Sequence, residues 1–198
     1  MLDIRTNNTI DVIDKDMKQF ASDLIQYAHQ GNLLQVKEII ALGADVNIAD
    51  DSGELALHSA IRSGNDELSL YLLSVGAEPD RLDLTGNNAM HYAAMKNNSV
   101  IAERLLEKGA NVNGVKEAMV PPLITASLYN CLAIVELLIA KGADIDIKDK
   151  KGKTALYYAT AQKHQQAMHM LLSAGATPVK VTTNVNGKKP VWKRIFNF

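Results

Sequence analysis

The chain has 198 residues, 47% of them hydrophobic, 22% charged and 5% aromatic, which suits one mostly helical, aliphatic-cored domain and excludes a disordered chain, a collagen-like chain and an aromatic-rich β-sandwich. Its single cysteine, Cys131, excludes an internal disulfide and a cysteine-built zinc site, and fits a reducing compartment. The net charge of −1 hides a polarised molecule: residues 1–147 hold 11 Lys+Arg against 21 Asp+Glu, net −10, whereas residues 148–198 hold 10 against Asp149 alone, net +9.

From the N terminus, residues 1–17 read as an acidic leader. They have no basic stretch followed by an apolar one, so no secretory signal is expected. No run in the chain approaches the ~20 apolar residues of a membrane span.

From about residue 18 to residue 178 the pattern is periodic. Gly-Ala pairs stand at Gly43-Ala44, Gly76-Ala77, Gly109-Ala110, Gly142-Ala143 and Gly175-Ala176, a step of 33 residues. In phase with them run Gly53, Gly86 and Gly152, with Met119 in the missing glycine's place. So do the columns Ala60, Ala93, Ala126 and Ala159, and Ile39, Leu72, Leu105, Leu138 and Leu171. Such phase-locked columns are the signature of a repeat architecture, here divided at 18–49, 50–82, 83–115, 116–148 and 149–178.

Each period predicts two short helices and a turn. Helices this short are marginal alone, so neighbours must hold them, and the alanine column lets them approach closely. Ser22 is the predicted N-cap of the first repeat. The glycine of each Gly-Ala pair is predicted to end a second helix in the left-handed region. Asp45-Val46-Asn47, Asn111-Val112-Asn113 and Asp144-Ile145-Asp146 are predicted to be extended, leading into Asp-x-x-Gly turns. Asn47 and Asn113 are expected to bond the backbone of their own turns.

These residues resemble the ankyrin-repeat family. Its signature, Asp-x-x-Gly-x-Thr-Pro-Leu-His followed by small residues, Leu-Leu and Gly-Ala-Asp-Val-Asn, is matched by Asp50, Gly53, Leu57 and His58 in one repeat. Asp83, Gly86, Asn88, Met90 and His91 match in the next, and Asp149, Gly152, Thr154 and Leu156 in the last. The fourth repeat departs most, with Met119 for the glycine and Pro121-Pro122-Leu123-Ile124 for Thr-Pro-Leu-His. The resemblance implies an all-α solenoid of five helix-turn-helix repeats joined by β-turn fingers. It also implies a structural hydrogen bond from His58 and His91 to the neighbouring turn.

Nothing in the sequence calls for catalysis. His58 and His91 stand one period apart without ligand partners, and His164 and His169, five residues apart, read as solvent-facing. Cys131 belongs to no nucleophile motif, and neither a phosphate-binding loop nor a dinucleotide fingerprint occurs. Asp50, Asp51 and Asp83 lack calcium-loop spacing and read as turn formers. No cofactor, metal or small-molecule substrate is expected.

The expected function is therefore non-catalytic protein–protein binding by a monomeric adaptor, scaffold or inhibitor in the cytoplasm. A bacterial effector in a host cytoplasm would carry the same pattern. In the resembled family, contacts come from the fingers and the exposed ends of the first helices. Here those positions include Leu82, Leu84, Met95, Lys96, Val115, Val120, Leu128 and Tyr129, large apolar groups for the most part where the framework does not require them, with Tyr129 as the best anchor. The alternative is an electrostatic adaptor to an anionic membrane or nucleic acid through the basic end. Residues 179–198 form a basic tail in which Lys189, Trp192, Lys193, Arg194 and Phe196 are candidate contacts. A cap over the last repeat is favoured for it, ahead of docking on a partner or lying on a membrane surface.

Overall fold

In a computed structural model the described residues are 18–116, 118 and 120–178. They form ten helices in five pairs. Residues 18–30 are helical (α1), followed by α2 (Leu33–Ala41), α3 (Ala56–Ser63), α4 (Asp66–Ser74), α5 (Ala89–Met95), α6 (Ser99–Glu107), α7 (Pro122–Leu128), α8 (Leu132–Ala140), α9 (Ala155–Ala161) and α10 (Gln165–Ser173). The described residues hold no strand, only an isolated bridge between Ala49 and Leu55.

Two layers result. The first helices pack in sequence, α3 on α5, α5 on α7 and α7 on α9, and the second helices likewise, α4 on α6, α6 on α8 and α8 on α10. The periodic columns lie between the layers: Ala60, Ala93, Ala126 and Ala159 are fully buried, as are Leu72, Leu105, Leu138 and Leu171. One continuous core runs from Leu24 in α1 to Ala176 after α10. No helix among the described residues is long and apolar enough to cross a membrane.

The pairs are made by backbone handedness. Gly43, Gly76, Gly109, Gly142 and Gly175 end the second helices with φ between 82° and 100°, as predicted. A second left-handed column, Gly31, Gly64, Asn97, Asn130 and Lys163, turns the chain from first to second helix. Asparagine tolerates that region, whereas lysine enters it at a cost. At the next position along, Asn65, Cys131 and His164 perform one task with three chemistries. Asn65 Nδ2 donates to the Ala28 carbonyl at 3.0 Å, Cys131 Sγ to Ala94 at 2.8 Å, and His164 Nδ1 to Ser127 at 3.1 Å. His164 is thus half-buried and bonded rather than solvent-facing as expected, while His169 is exposed.

Three further expectations are corrected. Ser22 lies within α1, which is already helical at residue 18, so it is not the N-cap. The segment Asp45–Asn47 is a turn, not extended: Asp45 Oδ1 accepts from Asn47 N–H at 2.9 Å, and the Ile48 N–H returns to the Asp45 carbonyl. The same closure recurs from Gly114 to Asn111 and from Ile147 to Asp144, because a side-chain acceptor outcompetes a ladder with no partner strand. Asn47 and Asn113 bond the next repeat rather than their own turn. Asn47 donates to the Gly76 carbonyl and accepts from Glu78 N–H, and Asn113 accepts from Asp144 N–H at 2.7 Å.

Candidate partner-binding surface

Three of the fingers are tight turns, each tied by a carboxylate. Asp50 Oδ1 accepts from the backbone N–H groups of Ser52 and Glu54, Asp83 from those of Thr85 and Asn87, and Asp149 from those of Lys151 and Lys153. These aspartates are turn formers, as expected. Tyrosines on the following first helices lock two of the fingers: Tyr92 donates to Asp83 Oδ2, and Tyr158 to Asp149 Oδ2 at 2.7 Å. Burial pushes Asp83 up, but the bonds from Thr85, Tyr92 and Asn87 outweigh it and hold the carboxyl below the usual range. Burial and the bond to Asp83 push the Tyr92 hydroxyl up to about 12. Sequence reasoning passed over Tyr92 and Tyr158, although their nine-residue offset from a finger aspartate recurs.

The fourth finger lacks both parts of the clasp. Lys116 occupies the aspartate position and Thr125 the tyrosine position. Its first helix starts on Pro122, with Pro121 as N-cap. Gly114, at φ 76°, lies against Pro122 so closely that an added Cβ would stand 2.8 Å from the ring.

The two histidines of the signature differ. His91 Nδ1 accepts from Asn88 N–H and its Nε2 donates to the Val120 carbonyl, the bond to the neighbouring turn that the resemblance implies. His58 is equally buried, yet neither ring nitrogen reaches hydrogen-bonding geometry. Leu55 stands where Asn88 and Thr154 supply a side-chain cap, so Nδ1 of His58 lacks the side-chain oxygen that lies beside Nδ1 of His91. Burial holds the His58 pKa down to about 4, against the opposing pull of the Asp83 charge and the nearby Arg81 carbonyl. Cys131 is buried, and burial pushes its thiol up. Among the described residues no group of three or more His, Cys, Asp or Glu is placed to hold a metal ion.

The candidate contact residues occupy two levels of one face. Leu84 is 77% exposed on the third finger, lying over Gly53 of the finger before it. Met95, 48% exposed, and Tyr129, 52% exposed, are at the far ends of α5 and α7, beside half-buried Leu128 and exposed Lys96. The finger and the helix end are separated by roughly 10 Å of helix, and half-buried Tyr92 lies on the helix between them. Leu82, Val115 and Val120 are half-buried, and Val120 packs on the core and accepts from His91. The other exposed large hydrophobics among the described residues are Leu34, Leu42, Val75 and Val100, all in or next to second helices. Lys189, Trp192, Lys193, Arg194 and Phe196 lie outside the described residues.

The repeat pattern also matches a known family. The family model described as ankyrin repeats (3 copies) matches residues 24–116 and 115–184. No curated protein matches the chain.

Proposed function

The chain belongs to the ankyrin-repeat family, whose members are generally protein–protein interaction modules, and we propose that it acts as a non-catalytic adaptor, scaffold or inhibitor. A protein partner lies along the fingers and first helices of the third and fourth repeats. The observation that carries this reading is the exposure of Leu84, Met95 and Tyr129 on that face. None of the three serves the core, and large apolar groups exposed together on one face mark an interaction site. Tyr129 offers a rigid ring with a polar edge, the kind of group that dominates binding energy when buried. The protein works as a cytoplasmic monomer in this reading, which suits the unpaired thiol of Cys131.

Site-specific photocrosslinking tests it. A photoreactive phenylalanine analogue replacing Tyr129 should capture one discrete protein from lysate, whereas the same group replacing Leu34 on the second-helix layer should not. Equal capture from both positions would sink the assignment of the face.

A further inference from the structure

We infer that the cleft between the fourth and fifth fingers binds an acidic, aliphatic-bearing segment of the protein partner; this rests on the partner-binding reading above and gives it a chemistry. The cleft, about 420 Å³, opens beside the finger that lacks its clasp. Its walls come from Asn111, residues 113–116, Ala118 and Pro121 on one side and from residues 147–150 of the next finger on the other.

The lining divides by chemistry. Val115, Ala118, Pro121 and Ile147 supply apolar wall, while Lys116 and Lys148 supply two ammonium groups. Asn111 and Asn113 add amides whose Oδ1 atoms are already engaged, by Asn113 N–H and Asp144 N–H respectively. What those amides can still offer a ligand is N–H, and an ammonium offers only N–H as well. Among the described residues the one lining carboxylate, Asp149, has Oδ1 engaged by its own turn and Oδ2 by Tyr158. Donors therefore outnumber acceptors, and the complementary group is a carboxylate. The apolar wall asks for an aliphatic side chain beside it. A cleft of this volume admits one or two side chains and is too small for a nucleic-acid duplex or a flat bilayer.

Charge beyond the cleft points the same way. Residues 148–178 carry Lys148, Lys150, Lys151, Lys153 and Lys163 against Asp149 alone. A field of that sign steers an acidic segment and fixes its direction, while the apolar groups of the third and fourth repeats supply the remaining contact.

The test uses the full chain labelled with 15N and a capped Leu-Glu-Asp-Leu-Glu-Asp peptide. Controls are its Leu-Gln-Asn-Leu-Gln-Asn counterpart, phosphatidylserine vesicles and a single-stranded oligoribonucleotide. The acidic peptide should bind saturably and shift the side-chain amides of Asn111 and Asn113 most. The neutral peptide should bind at least about tenfold more weakly, and the pair Lys116→Glu and Lys148→Glu should cost a similar factor. The milder pair Lys116→Gln and Lys148→Gln should cost less in the same direction, and the remote pair Lys108→Glu and Lys141→Glu almost nothing. An absence of saturable binding, an equal loss in the remote pair, or tighter cleft-dependent binding of the vesicles or the RNA would overturn the inference. Any of these results together with continued specific crosslinking at Tyr129 would remove the cleft and leave the interaction face standing.

Discussion

Lys163 is the residue at which sequence and backbone disagree most. It adopts φ 61° in the turn between α9 and α10, where Gly31 and Gly64 serve the first two repeats that share this turn. The left-handed region costs a non-glycine residue about 1–2 kcal/mol, partly offset in glycine by its greater unfolded-state freedom. Lys163→Gly should therefore raise stability by roughly 1 kcal/mol in chemical denaturation, with Lys163→Asn giving a smaller gain. A loss in both variants would mean that the lysine side chain does more at this turn than its backbone costs.

His58 carries the clearest pH dependence. Its folded pKa, about 4, lies below its ordinary 6.5. Between those values the unfolded chain binds more protons than the folded one, so stability rises with pH across that window. The shift corresponds to about 3 kcal/mol. His91, also lowered by burial, acts in the same direction. Asp83 and Asp149, both held below the ordinary 3.8, contribute stability that is fully present above that pH and lost below it. Stability should thus begin to fall as the pH drops below about 6.5, before Asp83 and Asp149 contribute. His58→Leu should flatten the upper part of the profile, and an unchanged slope there would place the titrating group elsewhere.

At the scale of the helix and the finger, the periodic columns translate directly into packing. Leu138 is fully buried between the layers and Leu34 is 65% exposed at the start of α2. Leu138→Ala should cost about 2–5 kcal/mol by loss of burial and creation of a cavity, and Leu34→Ala less than about 0.5 kcal/mol. Similar effects from the two would mean the second helices are rotated from the description given. This part of the fold was legible in sequence because glycine, alanine and leucine report a local need for handedness, close approach or volume. The fingers were less legible, since a side-chain oxygen can bond its own turn or the next one and residue type alone does not choose. Asn47 and Asn113 reach forward to the next repeat, whereas Asp45 and Asn111 close their own turns. His58 and His91 share a column and a depth but not a bonding state, which is set by neighbours upstream and in the following turn that residue type in the column does not reveal.

At the scale of the whole molecule, charge among the described residues changes sign along the stack, from Asp50, Asp51 and Glu54 on the second finger to Lys148, Lys150, Lys151 and Lys153 on the fifth, with Leu84, Met95 and Tyr129 exposed on the repeats between. The candidate surface was only partly legible. Leu84, Met95 and Tyr129 are exposed as their framework positions imply, but Val120 is drawn onto the core by the chain's turn into Pro121 and Pro122. The cleft beside Lys116 had a visible cue, a lysine in the aspartate column, whose consequence emerges only when the two fingers are placed side by side. The central claim is that a protein partner is held by the face that carries Leu84 and Tyr129. Its most direct test is the affinity of the partner captured at Tyr129, measured by isothermal titration for the wild-type chain and for the double variant Leu84→Ala and Tyr129→Ala, with melting temperatures alongside. A loss of affinity of about tenfold or more with an unchanged melting temperature is the predicted result, and retained affinity in the double variant would contradict it.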